Sequence, residues 1–439
     1  MERWAGKQFL LTMYVALKRH YPNFQDLLDR IDDPRKRKGY QTCELVMAGL
    51  VMFLLRRGSR NAMDTMWTSQ LERNYLHVFG MRLPLMDTVD KWLRVLPTGE
   101  LESLKRSLVR VLLTKKVFDK YRVKGGYLVS VDGSGLYSYD YEPYPGCPYK
   151  TSSKGKRSWQ CYVLEAKLVC GNGFSISLGS CYLDNEQSLN NKQDCEQKAF
   201  LRLAACLHKD YPRLPIILLG DGLYPNQTVF DTCANYGWHY IITLKDGNLP
   251  SVWEEIKLLL PLHKGQRAQR TSRSGKQGWL EESVCWLEGI DRSADRHQSH
   301  RLNWLEYTKR TEQFSDRFCY VTDLSLDNQK TAWQTAFAGR LRWKIENEGF
   351  NVQKNHGMAL AHKYSRHHQQ AQANYYQLMQ IAHLISQLTE RLKQVIQAID
   401  DAKTTLKALL QDMTACLRLQ PISAQELDHA LDKHQRLRY

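Results

Sequence analysis

The sequence predicts an α/β protein: a mixed sheet flanked by helices and carrying a β-rich insertion, with helical regions at both ends of the chain. Three observations predict it. Between about 125 and 244, short apolar runs and helical stretches follow one another as strand, strand, strand, helix, strand, helix, strand. From 248 to 328 the chain is polar, broken by short strand-like runs. Both ends, 1–120 and 363–439, repeat apolar residues at helical spacing. A chain of 439 residues is too long for one ordinary core, and on this reading it divides into 1–120, 121–247, 248–328, 329–362 and 363–439.

In the first region, 9–17 and 24–31 read as short amphipathic helices, and an apolar helix runs over about 43–55. Between them lies a basic run, Arg35-Lys36-Arg37-Lys38. Asp87 or Thr88 is placed to cap the helix carrying Val89, Trp92, Leu93 and Leu96, which Pro97-Thr98-Gly99 ends. A basic helix follows over 101–112; its Lys105, Arg106 and Arg110 are expected to be solvated or to neutralise phosphates. Strands over 127–131, 159–169 and 174–183 precede a helix over about 190–208. A strand over 216–219, a helix over 226–236 and a strand over 239–244 complete this part. In the insertion the strand-like runs are 283–287, 303–307 and 319–322, separated by charged loops over 264–276 and 292–301. A helix entered near Thr331 leads to Ile345, and in the last region Tyr375, Leu378, Met379, Ile381, Ala382, Ile385 and Leu388 form one long apolar face.

Bulk properties narrow the function. The 62 basic residues exceed the 46 acidic ones, a net charge of +16, which points toward a polyanionic partner such as nucleic acid. The eleven cysteines form no Cys-x-x-Cys and no zinc-finger spacing, and Met1-Glu2-Arg3-Trp4 does not open a secretory signal. They are expected to be reduced, mostly buried thiols of a cytosolic protein. The longest apolar run, 45–55, is too short to span a bilayer, so no membrane role is expected.

Three acids then stand out by position. Asp132 and Asp221 each close an apolar run with Asp-Gly, and Glu346 lies on the late helix, four residues after Arg342 and so on its face. Singly, Asp-Gly is a turn dipeptide and Glu346 a surface charge. Together, an acid on the first strand, one after the fourth and a third on a later helix follow the order of metal-dependent nucleic-acid enzymes of the ribonuclease-H-like class. Three converging carboxylates repel unless Mg²⁺ or Mn²⁺ lies between them. Two such ions would activate an attacking water and stabilise the leaving 3′ oxygen. Glu348 is the rival third acid, and it lies roughly 200° from Glu346 on an ideal helix.

The stretch from Gly339 through Arg342, Glu346 and Lys354 to Gly357 resembles the third-acid region of bacterial insertion-sequence DDE transposases. More narrowly, it is similar to the group with a β-rich insertion between the second Asp and the Glu. That group carries Tyr-x-x-Arg-x-x-x-Glu, with a lysine about two turns later. Arg342 and Glu346 match; the tyrosine position holds Gly339, the lysine position holds Gln353, and Lys354 follows it by one residue. Val131-Asp132-Gly133 and Leu219-Gly220-Asp221-Gly222 match the two Asp positions, and Arg35 to Arg60 looks similar to the amino-terminal region of some members.

The resemblance implies a ribonuclease-H-like core and a transposase that cleaves the ends of its own element and joins the freed 3′-OH strands to target DNA. Asp132, Asp221 and Glu346 would hold two Mg²⁺ (or Mn²⁺) ions. Arg342 and Lys354, with Lys344 and the run Arg35, Lys36, Arg37 and Lys38, would contact double-stranded DNA. A homodimer on paired ends is implied, with the C-terminal helices as its interface, in a prokaryotic, nucleoid-associated setting. A nuclease of the same fold without strand transfer, and a binding-only domesticated transposase, remain as alternatives. A glycosidase using paired carboxylates would leave the basic excess without a role.

Overall fold

A computed structural model describes residues 6–185, 194–274, 278–291, 301–432 and 437–439. Most of the charged loop expected over 292–301, and the helical start expected over 190–193, lie outside the described residues, as do Met1 to Trp4. Seven helices come first: α1 (Gly6–His20), α2 (Phe24–Asp29), α3 (Thr42–Leu54), α4 (Arg60–Asp64), α5 (Ser69–Phe79), α6 (Met86–Leu93) and α7 (Thr98–Thr114). Next come β1 (Tyr127–Tyr139), β2 (Tyr149–Thr151), β3 (Arg157–Val169), β4 (Ser175–Tyr182), α8 (Glu196–Asp210), β5 (Ile216–Gly220), α9 (Gln227–Tyr236), β6 (His239–Thr243) and α10 (Pro250–Leu259). Four long strands follow: β7 (Arg267–Ser274), β8 (Gly278–Asp291), β9 (Arg301–Arg310) and β10 (Ser315–Thr322). The chain closes with α11 (Gln329–Arg340), α12 (Asn351–Asn355), α13 (Gln369–Glu390), α14 (Lys393–Asp401), α15 (Leu406–Leu419) and α16 (Ala424–Asp432).

All ten strands belong to one mixed sheet, ordered β2-β3-β1-β5-β6-β10-β9-β8-β7, with β4 also pairing β3. The parallel pairs are β1 with β5 and β5 with β6. The β-rich insertion therefore continues the central sheet through the antiparallel β6–β10 pair. Its first strand, β7, takes up much of the charged loop expected over 264–276. The polar side chains of β7 include Arg270, whose guanidinium pairs with Glu282 of β8, so cross-strand charge pairing stabilises a strand without an apolar pattern.

Helix α13 is buried from Asn374 to Glu390 on every side. The one-sided apolar face expected there is only half of it. Its apolar residues pack among those of α1, α3, α6 and α7, in a core that runs continuously from Phe9 to Tyr439. The two helical ends of the chain thus pack on one another, with α15 against α1 and α5.

The polar side chains of α13 meet β3 and β4. Gln380 Oε1 accepts from Lys167 Nζ at 2.8 Å, Gln387 Oε1 from the Ser175 N–H at 2.7 Å, and Tyr376 donates to Glu165 at 2.8 Å. Glu165 and Lys167 are fully buried, with Glu165 Oε2 3.9 Å from Lys167 Nζ. From the other side Lys105 of α7 donates to Ser177 and Ser180 at 3.0 and 3.1 Å, while Arg106 pairs with Asp210. Lys105 thus turns inward, contrary to the expected solvated or DNA-contacting face, because the polar sheet surface offers acceptors that the sequence period did not reveal; Arg106 is half-buried on Asp210 of α8, and Arg110 stays exposed as expected.

Helix α6 begins at Met86 rather than after Asp87 or Thr88, because Asp64 Oδ1 accepts from the Met86 N–H at 2.9 Å and caps it from α4. All eleven cysteines are free thiols, most of them buried. Among the described residues no helix is long and apolar enough to cross a membrane.

Glu165→Ala should lower folding stability by about 3–5 kcal/mol, since it leaves Lys167 buried without its countercharge. Urea unfolding checks this, and Glu165→Gln, which keeps an acceptor for Tyr376 and Ser180, should lose less.

Candidate active site

The parallel β1–β5 register pairs Val129 with Leu218 and Ser130 with Leu219. Continued by two residues past the last pair, it sets Asp132 beside Asp221, the first residue after β5. The two Asp-Gly steps differ, however. Gly222 lies in the expected turn, and Asp221 Oδ1 accepts from the Leu223 N–H at 2.9 Å. Asp132-Gly133 is no turn: β1 continues through it to Tyr139, because β3 goes on pairing after β5 has ended. Asp132 therefore sits where β1 loses its parallel neighbour, the end of the parallel strands at which α/β sheets place their ligands.

Alternation along β1 separates the neighbours of Asp132 from those of Gly133. On the first face, Ser130 Oγ donates to the Arg342 carbonyl at 3.1 Å and Arg342 Nη1 lies 3.6 Å from Asp132 Oδ2. On the other, Tyr162 and Glu196 crowd Gly133 so closely that a Cβ would lie 2.8 Å from Glu196 Oε1. Tyr162 donates to that oxygen at 2.7 Å. Glu196 opens α8, where a first-turn acid reads as an ordinary partner of the helix dipole, so nothing in the sequence marked it.

Burial pushes the Asp132 carboxyl up to about 6, and the charges of Asp221 and Glu196 add to that rise; Arg342 and the Gly133 N–H oppose it. Burial and Asp221 likewise raise Glu196, against its hydrogen bond from Tyr162. Asp221 Oδ2 has Lys245 Nζ at 4.0 Å.

After α11 the chain tightens into a 3₁₀ turn, Leu341–Trp343, and then widens into a π-helical turn, Ile345–Phe350. Glu346 and Glu348 lie on this turn and face different surroundings. Glu348 accepts from Lys344 at 2.8 Å and from Arg391 at 2.7 Å; although burial pushes its carboxyl upward, these two cations hold it below the usual range. Glu346 is exposed and has no side-chain partner among the described residues. Lys344, expected on DNA, is engaged by Glu348.

The π turn also bears on the late lysine. Such a turn inserts one residue into the helical phase, so later positions fall one residue behind. Gln353 accordingly points inward, donating to Gln380 Oε1 at 2.8 Å and lying 3.0 Å from His383 Nδ1. Lys354 is exposed, its Nζ 5.9 Å from the centre of the Phe350 ring. At Gly339 a Cβ would lie 2.7 Å from the ring of Tyr320, so the packing of α11 on β10 leaves no room for a tyrosine there.

Within the basic run, Arg35 is held by Asp33 at 2.6 Å and by the Tyr40 carbonyl at 3.0 Å, whereas Lys36, Arg37 and Lys38 are exposed. Arg35 thus shapes the loop that presents the other three. The structure brings Asp132, Asp221 and Arg342 together and adds Glu196. Among the described residues no three His, Cys, Asp or Glu side chains stand close enough to hold one ion. Asp132 and Asp221 are close enough for the charge of one to raise the other, and Arg342 supplies opposing positive charge to Asp132. No family model matches this chain, and no curated protein matches it.

An acid whose folded pKa is raised favours its neutral form in the folded state. For Asp132 the ionised form carries its full cost above pH 6, and the cost fades as pH falls toward the unfolded value near 3.8. Asp132→Asn should therefore stabilise the fold at pH 7.5 by up to about 3 kcal/mol, with the gain shrinking between pH 6 and 4. Urea unfolding at pH 7.5, 6 and 4.5 measures it.

Proposed function

We propose that this protein is a DNA transposase of the DDE type, which cleaves the ends of its insertion sequence and transfers the 3′-OH strands to target DNA. The observation that carries the reading is the placement of Asp132 on β1 beside Asp221, the residue just past the end of the parallel neighbour β5, with Arg342 on Asp132 and the unpartnered Glu346 one turn beyond. The net charge of +16 and the exposed Lys36, Arg37 and Lys38 support a double-stranded DNA partner. On this reading the sheet is a ribonuclease-H-like core, and the protein acts as a homodimer on paired DNA ends.

In the mechanism, Asp132, Asp221 and Glu346 would hold two Mg²⁺ or Mn²⁺ ions, which when bound supply Lewis acidity for phosphodiester hydrolysis. Arg342 keeps Asp132 oriented before DNA arrives. With the scissile phosphate in place, its guanidinium is free to turn to the phosphate oxygens, where a planar fork binds two of them. Lys354 supplies a point charge to the backbone from the same exposed side as Glu346. Glu348, bound to Lys344 and Arg391, fixes the turn and stays away from the reaction. Glu196, held by Tyr162 at Gly133 on the other face of β1, adds negative charge that raises the Asp132 carboxyl.

The test is cleavage of DNA carrying the flanks of this gene, with Mg²⁺ or Mn²⁺. Specific 3′ nicks and strand joining are expected from the wild type, abolished in Asp132→Asn, Asp221→Asn and Glu346→Gln, and retained in Glu348→Gln. Arg342→Ala should slow cleavage by about 10²–10³-fold. Loss of activity in Glu196→Gln with full activity in Glu346→Gln would overturn the assignment of the third acid. Cleavage without joining would reduce the activity to that of a nuclease.

A further inference from the structure

Behind the π-helical turn lies a cavity of about 870 Å³, bounded by the end of α3, by α12, by the end of α13 and by α15. Five of its lining side chains are Arg or Lys and two are Glu, so it is a cationic cavity. Its wall also holds Val352, Leu406 and Leu410.

Two guanidinium groups there are incompletely bonded. The side chain of Arg56 is only 8% exposed, and its Nη2 lies 2.8 Å from Glu390 Oε1, yet its Nε and Nη1 have no hydrogen-bond partner. Arg391 holds Glu348 through Nη2 at 2.7 Å, and its Nε is likewise buried and unpartnered. Buried guanidinium nitrogens without acceptors are costly, and an oxyanion relieves that cost with charge-assisted bonds. The φ of +54° at Arg56 is the left-handed conformation that ends α3 and turns its side chain toward Glu390. Lys407 is exposed at the cavity, and Arg418 lines it three turns farther along α15.

We propose that this cavity binds a phosphate-bearing ligand of nucleotide size, with its phosphate on Arg56 and Arg391 and its planar body against Val352 and Leu410. The volume falls within the range of ligand sites, roughly 300–1,000 Å³. Free phosphate alone would leave the apolar wall unused, and an apolar ligand would leave the guanidinium nitrogens unbonded. A phosphate on Arg391 competes with Glu348, whose turn also carries Glu346, so occupancy bears on the position of that acid. Two sources share this chemistry: a free nucleotide, and the 5′-phosphorylated end of a DNA strand.

The experiment is isothermal titration of the full chain, without divalent metal, using AMP, adenosine and inorganic phosphate as probes. AMP should bind one to one, inorganic phosphate should compete with it, and adenosine should bind about 10- to 100-fold more weakly than AMP. Lys407→Gln, an exposed change that leaves the core intact, and Arg56→Gln should each weaken AMP. Glu390→Gln, which releases the third Arg56 nitrogen, should tighten it. A short oligonucleotide with and without its 5′-phosphate separates the sources: a preference for the phosphorylated strand assigns the site to a DNA end, and AMP binding without that preference assigns it to a free nucleotide. No binding of AMP or phosphate, equal binding of adenosine, or affinity unchanged in both Lys407→Gln and Arg56→Gln would overturn the proposal. Because binding is read without cleavage, its failure is distinct from failure of the transposase reading.

Discussion

The burial of α13 on every side is the constraint on which the rest of the molecule depends. A helix in that position needs partners for most of its polar side chains, because a buried amide or charge without one costs free energy; among the described residues Tyr375 Oη and Thr389 Oγ1 are left without. Gln380, Gln387 and Tyr376 find theirs on β3 and β4, and Asn374 donates to the carbonyls of Leu93 and Leu96. The sheet in turn presents Glu165, Lys167, Ser175 and Ser180 where an ordinary sheet face would be apolar. Polar pairing of this kind fixes register more tightly than apolar contact, since a slip of one residue would leave several groups unsatisfied at once.

That fixed register reaches the candidate site. Glu165 is the direct cross-strand partner of Asp132, and Lys167 that of Ser130, so the same pairs that seat α13 also set the height of Asp132 on the sheet. His383 and Gln380 hold Gln353, and Gln353 anchors α12, immediately after the π turn. Asp132 and the segment carrying Arg342 and Glu346 are thus tied to one buried polar layer from two directions. Asp132 is held there at an energetic cost, with Asp221 and Glu196 nearby and one guanidinium opposing them. A carboxyl raised by burial and by like charges is poised to gain most when an opposite charge arrives beside it.

Much of the fold was legible in the sequence. The apolar runs of β5 and β6 and the apolar stretch of α3 fall within a residue or two of their expected places, because in each case the local pattern and the tertiary burial agree. The pattern failed where partners lie far away in sequence. Strand β7 was hidden in a charged loop because its stability comes from pairs such as Arg270 with Glu282. The cap of α6 comes from Asp64, and Lys105 is satisfied by serines on β4. In the candidate site, Asp132, Asp221, Arg342 and Glu346 could be named from their spacing, whereas Glu196 could not. It comes close to Asp132 only because Gly133, without a side chain, leaves room for Tyr162 and Glu196 beside β1.

By itself, then, the sequence determined the succession of a helical region, a strand-rich middle and a second helical region, and the basic balance, since periodicity and residue type are local properties. Only the tertiary structure decided which acid is free and which is engaged. Glu346 and Glu348 are two residues apart and chemically identical; Arg391, arriving from the far end of α13, pairs with Glu348 and leaves Glu346 open. Likewise, the inward turn of Gln353 and the outward turn of Lys354 follow from one π turn, whose extra residue is stabilised by packing against the sheet. Both outcomes depend on contacts between segments remote in the chain, and no local pattern encodes them.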